Sequence, residues 1–121
     1  MEIDKAITAL GALAQETRLA LFRLLVAAGP AGLPAGAIAL RLAVPPTTLS
    51  FHLNLLRHAG LIDFRRQGRT LTYAAQFPAM NALLAYLTEN CCRGSDCGAE
   101  CPPAQSQGEP DATPARARLG P

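Results

Sequence analysis

A chain of 121 residues, half of them apolar and 17% charged, has material for one small domain and a tail. A net charge of +2 is weak for a uniformly basic nucleic-acid binder, so any phosphate contact must come from a local patch. Met1-Glu2-Ile3-Asp4-Lys5 is acidic where a signal peptide is basic, and the apolar run from about Leu19 to Gly29 is interrupted by Arg23 and too short for a bilayer, so a cytoplasmic protein without a membrane partner is expected.

In chain order, Ile3, Ala6, Ile7, Leu10 and Leu13 form a helical apolar stripe, and Leu13 to Leu25 reads as a second helix. Pro34 to Leu42 reads as a short third helix, with Ala35, Ile38, Ala39 and Leu42 at core spacing. A tight turn at Ala43-Val44 joins it to the next helix, giving a helix-turn-helix pair. That next helix starts at Pro45-Pro46, where a missing N–H costs nothing and where Thr47 or Thr48 can cap, and it ends at Gly60.

At roughly 100° per residue, Leu49, Leu53 and Leu56 of this helix share a narrow core stripe. Thr47, Ser50, Phe51, Asn54 and His58 project the opposite way, and no acid stands among them. Hydroxyls, an amide, an imidazole and an aromatic suit base edges, thymine methyls and phosphates; a merely solvated face without acids is the bland alternative. His52, about 60° off the stripe, reads as a packed histidine rather than a ligand.

Two alternating runs follow, Leu61 to Arg66 and Arg69 to Ala74, joined by a turn at Gln67-Gly68. Arg65, Arg66 and Arg69 gather at the tip of this hairpin, where guanidinium groups can hold phosphates or enter a minor groove. Between Arg41 and Arg69 stand five arginines against Asp63 alone, a local basic surface that implies salt-dependent binding. The last helix, Pro78 to Asn90, together with Phe77 carries Phe77, Met80, Leu83, Leu84 and Leu87. The elements predict a mainly α fold with a β-hairpin wing (α+β). So thin a monomer buries little, and a dimer through the N-terminal and last helices would cover both stripes; folding onto the chain's own core is the alternative.

All four cysteines lie in Asn90-Cys91-Cys92-Arg93-Gly94-Ser95-Asp96-Cys97-Gly98-Ala99-Glu100-Cys101. Clustered thiols in a reducing compartment point to metal binding or redox chemistry. Neighbouring cysteines on a continuous helix diverge, so Cys91 and Cys92 converge only if the helix ends there, as Asn90 and Gly94 allow. Gly94 and Gly98 then let the chain fold back to bring Cys97 or Cys101 to the same centre. Three divisions result: a domain over 1–92, a cysteine segment over 91–101, and a Pro/Ala/Gly-rich tail over 102–121 expected to be disordered. A disulfide oxidoreductase would show CxxC at a helix start, and no Ser/His/Asp constellation, phosphate loop or catalytic carboxylate pair stands out, so no enzyme is expected.

The run TTLSFHLNLLRHAGLI followed by RRQGRTLTYA, with LAQETRLALFRLL ahead of it, resembles the ArsR/SmtB winged-helix repressors over residues 3–92. The resemblance implies a winged helix-turn-helix homodimer that binds an inverted repeat in operator DNA and leaves it when an inducer binds. It implies base contact by Thr47, Ser50 and Phe51; Thr48, Asn54, His58, Arg65, Arg66 and Arg69 complete the expected DNA-contacting set. The last helix lacks the His and Asp/Glu pattern of the family's zinc sensors, and residues 32–42 lack the CxC of its best-known arsenic sensors. What remains resembles the arsenic-responsive branch with a vicinal cysteine pair at the end of the last helix. That implies trivalent arsenic or antimony held by Cys91, Cys92 and Cys97, with Cys101 the spare or the true third ligand. A methylated arsenical would need Cys91 and Cys92 alone. No cofactor is required. Zinc or cadmium on four thiolates, a thiol-oxidation or persulfide switch, a tail without a role, and a thiol carrier of metalloids are the other readings of the same cysteines.

Overall fold

The computed structural model describes residues 1–94, which fall into two compact units, one over Met1–Leu83 and one from Leu84 onward. In the first unit, α1 (Ile3–Leu13) buries Ala6 and Ala9, whose small side chains let it lie close on α2 and α4. Helix α2 (Glu16–Ala28) begins later than Leu13: Gln15 is its N-cap, and its side chain accepts from the Arg18 N–H at 2.9 Å. Gly29 ends it at φ +80°.

A two-residue strand that sequence reading did not anticipate follows, β1 (Leu33–Pro34). Pro34 was expected to open a helix and instead belongs to this edge strand while capping α3 (Ala35–Leu42). Ala43 closes α3 in the left-handed region, φ +56°, and leads into α4 (Pro46–His58). Neither Thr47 nor Thr48 caps α4. Pro45 occupies the cap and Pro46 the first turn, so Thr47 and Thr48 fall inside the helix, two and three residues past the cap. Leu49, Leu53 and Leu56 are buried as their spacing requires.

Strands β2 (Ile62–Gln67) and β3 (Thr70–Ala75) form an antiparallel hairpin, and β3 is central in the order β1-β3-β2. Gln67 pairs with Thr70, so the turn is Gly68-Arg69, one residue beyond the expected one, and Gly68 takes φ +67°. Leu21, Leu25, Ile38, Leu56, Leu61 and Ile62 are the largest fully buried side chains, so α2, α3, α4 and the wing strand share one core.

Helix α5 (Phe77–Leu87) stops three residues short of Asn90. The Thr88 hydroxyl donates to the Leu84 carbonyl at 2.9 Å, the Glu89 N–H closes a tighter turn onto Tyr86, and Asn90 is left-handed at φ +59°. A 3-10 turn, Cys91–Gly94, follows. Among the described residues no helix is long and apolar enough to cross a membrane.

Candidate nucleic-acid interface and thiol pair

Helix α4 turns one face into the core and leaves Thr47, Thr48, Ser50, Phe51, Asn54 and His58 exposed on its other sides. Phe51 is 60% exposed, a large apolar surface facing water that stacking or a methyl contact would cover. Thirteen residues at about 1.5 Å rise make a rod of about 20 Å, and a helix of this kind fits a major groove about 12 Å wide.

The wing separates the arginines that sequence reading had gathered. Arg65 pairs with Thr72 and Arg66 with Leu71, so adjacent side chains leave opposite faces of the strand. Arg65 bends back to the α2–β1 turn and donates to the Ala31 carbonyl at 2.8 Å and the Pro30 carbonyl at 3.5 Å. All three arginines remain exposed; Arg66 and Arg69 stand nearer the tip, Arg69 within the turn itself. Arg57 is a further functional candidate that the local sequence pattern does not mark. Its guanidinium lies 4.3 Å above the Phe64 ring and 3.7 Å from Asp63, so the one acid of this basic stretch is occupied at the base of the wing. The pair is spaced i and i+6 across the α4–β2 corner, a separation for which the sequence carries no simple signal.

At the chain's other candidate site, Cys91 is half-buried, Cys92 is exposed, and their sulfurs lie 3.4 Å apart. Left-handed backbone at Asn90 and Cys92 makes this approach possible. The hydrogen bond shared with Cys91 holds the Cys92 thiol above its usual pKa. Two thiolates so close repel one another, and a bound cation would discharge both protons. Cys97 and Cys101 lie outside the described residues. Among the described residues no three His, Cys, Asp or Glu side chains converge on a metal position.

A short helix, a tight turn, a second helix with a polar outer face and an arginine-bearing hairpin define a winged helix-turn-helix DNA-binding protein. A family model described as a helix-turn-helix domain matches residues 13–63. HlyU from Vibrio cholerae is 31% identical, over 76% of this chain and 99% of that one, with a TM-score of 0.60; a reduced form of HlyU also matches. An ArsR-like transcriptional regulator from Rhodococcus sp. RHA1 is 28% identical over 74% of this chain and 82% of its own, with a TM-score of 0.65. A homodimeric winged helix-turn-helix DNA-binding domain from Mycobacterium bovis, a possible ArsR-family regulator, is 28% identical over 77% and 86%, with a TM-score of 0.58. A comparison with curated proteins gave no match. The chain belongs to the ArsR/SmtB family of DNA-binding transcriptional regulators, and this fold and family are not those of an enzyme.

Proposed function

We propose that this regulator is a repressor that holds an inverted-repeat operator as a homodimer and releases it when trivalent arsenic or antimony binds its C-terminal cysteines. The observation that carries this reading is the pair of sulfurs 3.4 Å apart just past the last helix of a DNA reader. Two metal–sulfur bonds of about 2.3 Å meeting at a tetrahedral angle separate the sulfurs by about 3.8 Å, and meeting near a right angle by about 3.3 Å. The pair stands between these two separations, within a small movement of either, and its soft thiolates favour a thiophilic ion. Cys91 and Cys92 supply two ligands, and Cys97, or Cys101, the third.

Dimerisation is supported by Ile3 and Ile7, each 60% exposed on α1, and by exposed Leu84 and Leu87 near the end of α5. Ala6 and Leu83, expected in the same stripes, are instead buried within the chain. Two recognition helices must sit about 34 Å apart on the duplex, so a small change in subunit placement spoils both half-sites at once. A coupling of about 1–3 kcal/mol between inducer and DNA would lower operator affinity about 5- to 150-fold.

The test is fluorescence anisotropy of the reduced protein on its own promoter DNA, titrated with arsenite, antimonite, methylarsenite, zinc and cadmium. Release at near-stoichiometric metalloid but not zinc is expected; tight binding that ignores metalloids would remove the inducer assignment. A second reading, a thiol switch, draws on the same sulfur separation and on the similarity to HlyU, a relative with a structure in reduced form. Release by peroxide or persulfide, and not by arsenite, would favour it.

The DNA contacts carry their own expectation. Arg69→Ala should weaken binding to promoter and random duplexes alike and lower the magnitude of the salt slope by about 1. Ser50→Ala should instead cost about 1–3 kcal/mol on the promoter alone, measured as the ratio of the two affinities. Equal losses on both duplexes would take Ser50 off the list of base readers.

A further inference from the structure

One guanidinium joins the end of α1 to the recognition helix. Arg18, in the first turn of α2, donates from Nε to the Ala12 carbonyl at 2.7 Å, and its Nη1 lies 3.3 Å from His52 Nδ1. Its own backbone N–H is held by the Gln15 side chain, so the residue is fixed at both ends. Ala12 sits in the last turn of α1, where carbonyls lack partners within the helix, and Arg18 satisfies one of them.

A guanidinium carries donors only. The His52 Nδ1 facing it must therefore present a lone pair, which places the ring proton on Nε2. The ring is 8% exposed, and burial first, then the Arg18 charge, holds its pKa below the usual value, so it is neutral at pH 7. It lies beside the core leucines of α4 and meets the Phe51 ring edge-on at 5.6 Å. A leucine there would bury apolar area as well. The imidazole adds direction, because a hydrogen bond weakens steeply when its angle departs from line.

We propose that Arg18 and His52 are positioning residues for operator recognition, the guanidinium fixing the rotation of α4 relative to α1 through the Nε2–H tautomer of His52. The proposal rests on the DNA-reading function above. Side chains of a helix stand about 5 Å from its axis, so a sideways slip of about 1 Å turns the α4 face by about 11°. That is enough to misalign Ser50 and Phe51 together while leaving nonspecific phosphate contacts in place.

The experiment uses the full reduced chain and two readouts. Long-range proton–nitrogen NMR reports the tautomer without DNA, and His58, the other histidine, serves as the exposed reference. The His52 Nδ1 is expected to be unprotonated. Affinity for promoter and for scrambled duplex is then compared across variants. His52→Asn places an amide oxygen near the Nδ1 position and should keep promoter discrimination within about three-fold of the parent. His52→Leu should lose about ten-fold, the scale of one hydrogen bond to a charged group, with the scrambled duplex little affected. If His52→Leu fails to fold, His52→Gln, whose oxygen reaches toward Nε2 instead, should show the same loss. A protonated Nδ1, or equal discrimination by the asparagine variant and the leucine or glutamine variant, overturns the proposal. A parent that does not distinguish promoter from scrambled DNA overturns the DNA-reading function itself, a failure the DNA-free tautomer measurement separates from the first.

Discussion

The double variant Cys91→Ser/Cys92→Ser should bind promoter DNA within about two-fold of the parent and should not leave it on addition of arsenite. The DNA contacts and the thiols occupy different stretches of the chain, so removing sulfur leaves the α4 face and the wing arginines as they are. Serine is close in size but its oxygen is hard and does not ionise near neutral pH, so two soft ligands are lost at once. A parent displaced by one of the larger coupling energies would show a hundred-fold drop in affinity, against no drop in the variant. Single substitutions refine the assignment. Cys97→Ser should lose the arsenite response yet retain that to methylarsenite if Cys91 and Cys92 alone chelate the methylated ion. Release of the double variant by arsenite at the parent's concentration would rule out the vicinal pair as the inducer site.

The recognition helix was legible in the sequence because the strongest local signals agree with the packing: two prolines at the start, Leu49, Leu53 and Leu56 on one stripe, Gly60 beyond the end; the threonines that looked like caps lie inside the helix instead. The hairpin was equally legible, with its turn displaced by one residue, since alternation marks strands better than it marks their ends. Strand β1 was hidden. Two residues have no periodicity, and Pro34 carries the signature of a helix start as well as that of an edge strand. The end of α5 was misplaced because the Thr88 hydroxyl bond to Leu84, together with tighter turns, closes the helix before the asparagine that looked like its stop.

At the candidate sites the residue types were readable but their partners were not. Arg65 looks like its neighbours in sequence and spends its guanidinium on carbonyls more than thirty residues earlier. His52 was recognisable as a packed histidine from its angle on the helical wheel. Its bond to Arg18 joins residues 34 apart in sequence, a contact that only the folded chain creates.

Among the described glycines, Gly32→Ala is expected to be the most destabilising change, costing about 3 kcal/mol or more. Gly32 has φ +72°, and a Cβ there would press on the Tyr73 carbonyl oxygen and lie 3.1 Å from the Ala74 side chain. Both obstacles are backbone or directly attached to it, in the central strand of the sheet, so neither can swing aside. Relief requires β1 to leave β3, which gives up the Leu33–Tyr73 and Pro34–Thr72 pairing and shifts the Ala31 carbonyl that anchors Arg65. For a domain of this size about 3 kcal/mol lowers the melting temperature by roughly 12–24 °C. Gly36→Ala is the matched control: it lies exposed inside α3 with nothing within 4 Å of the added carbon, and should raise stability by up to about 1 kcal/mol. Thermal melts of both variants read the difference. A Gly32→Ala protein that melts with the parent would mean that β1 does not pair with β3 in solution, and that Arg65 does not find the Ala31 carbonyl where the folded chain places it.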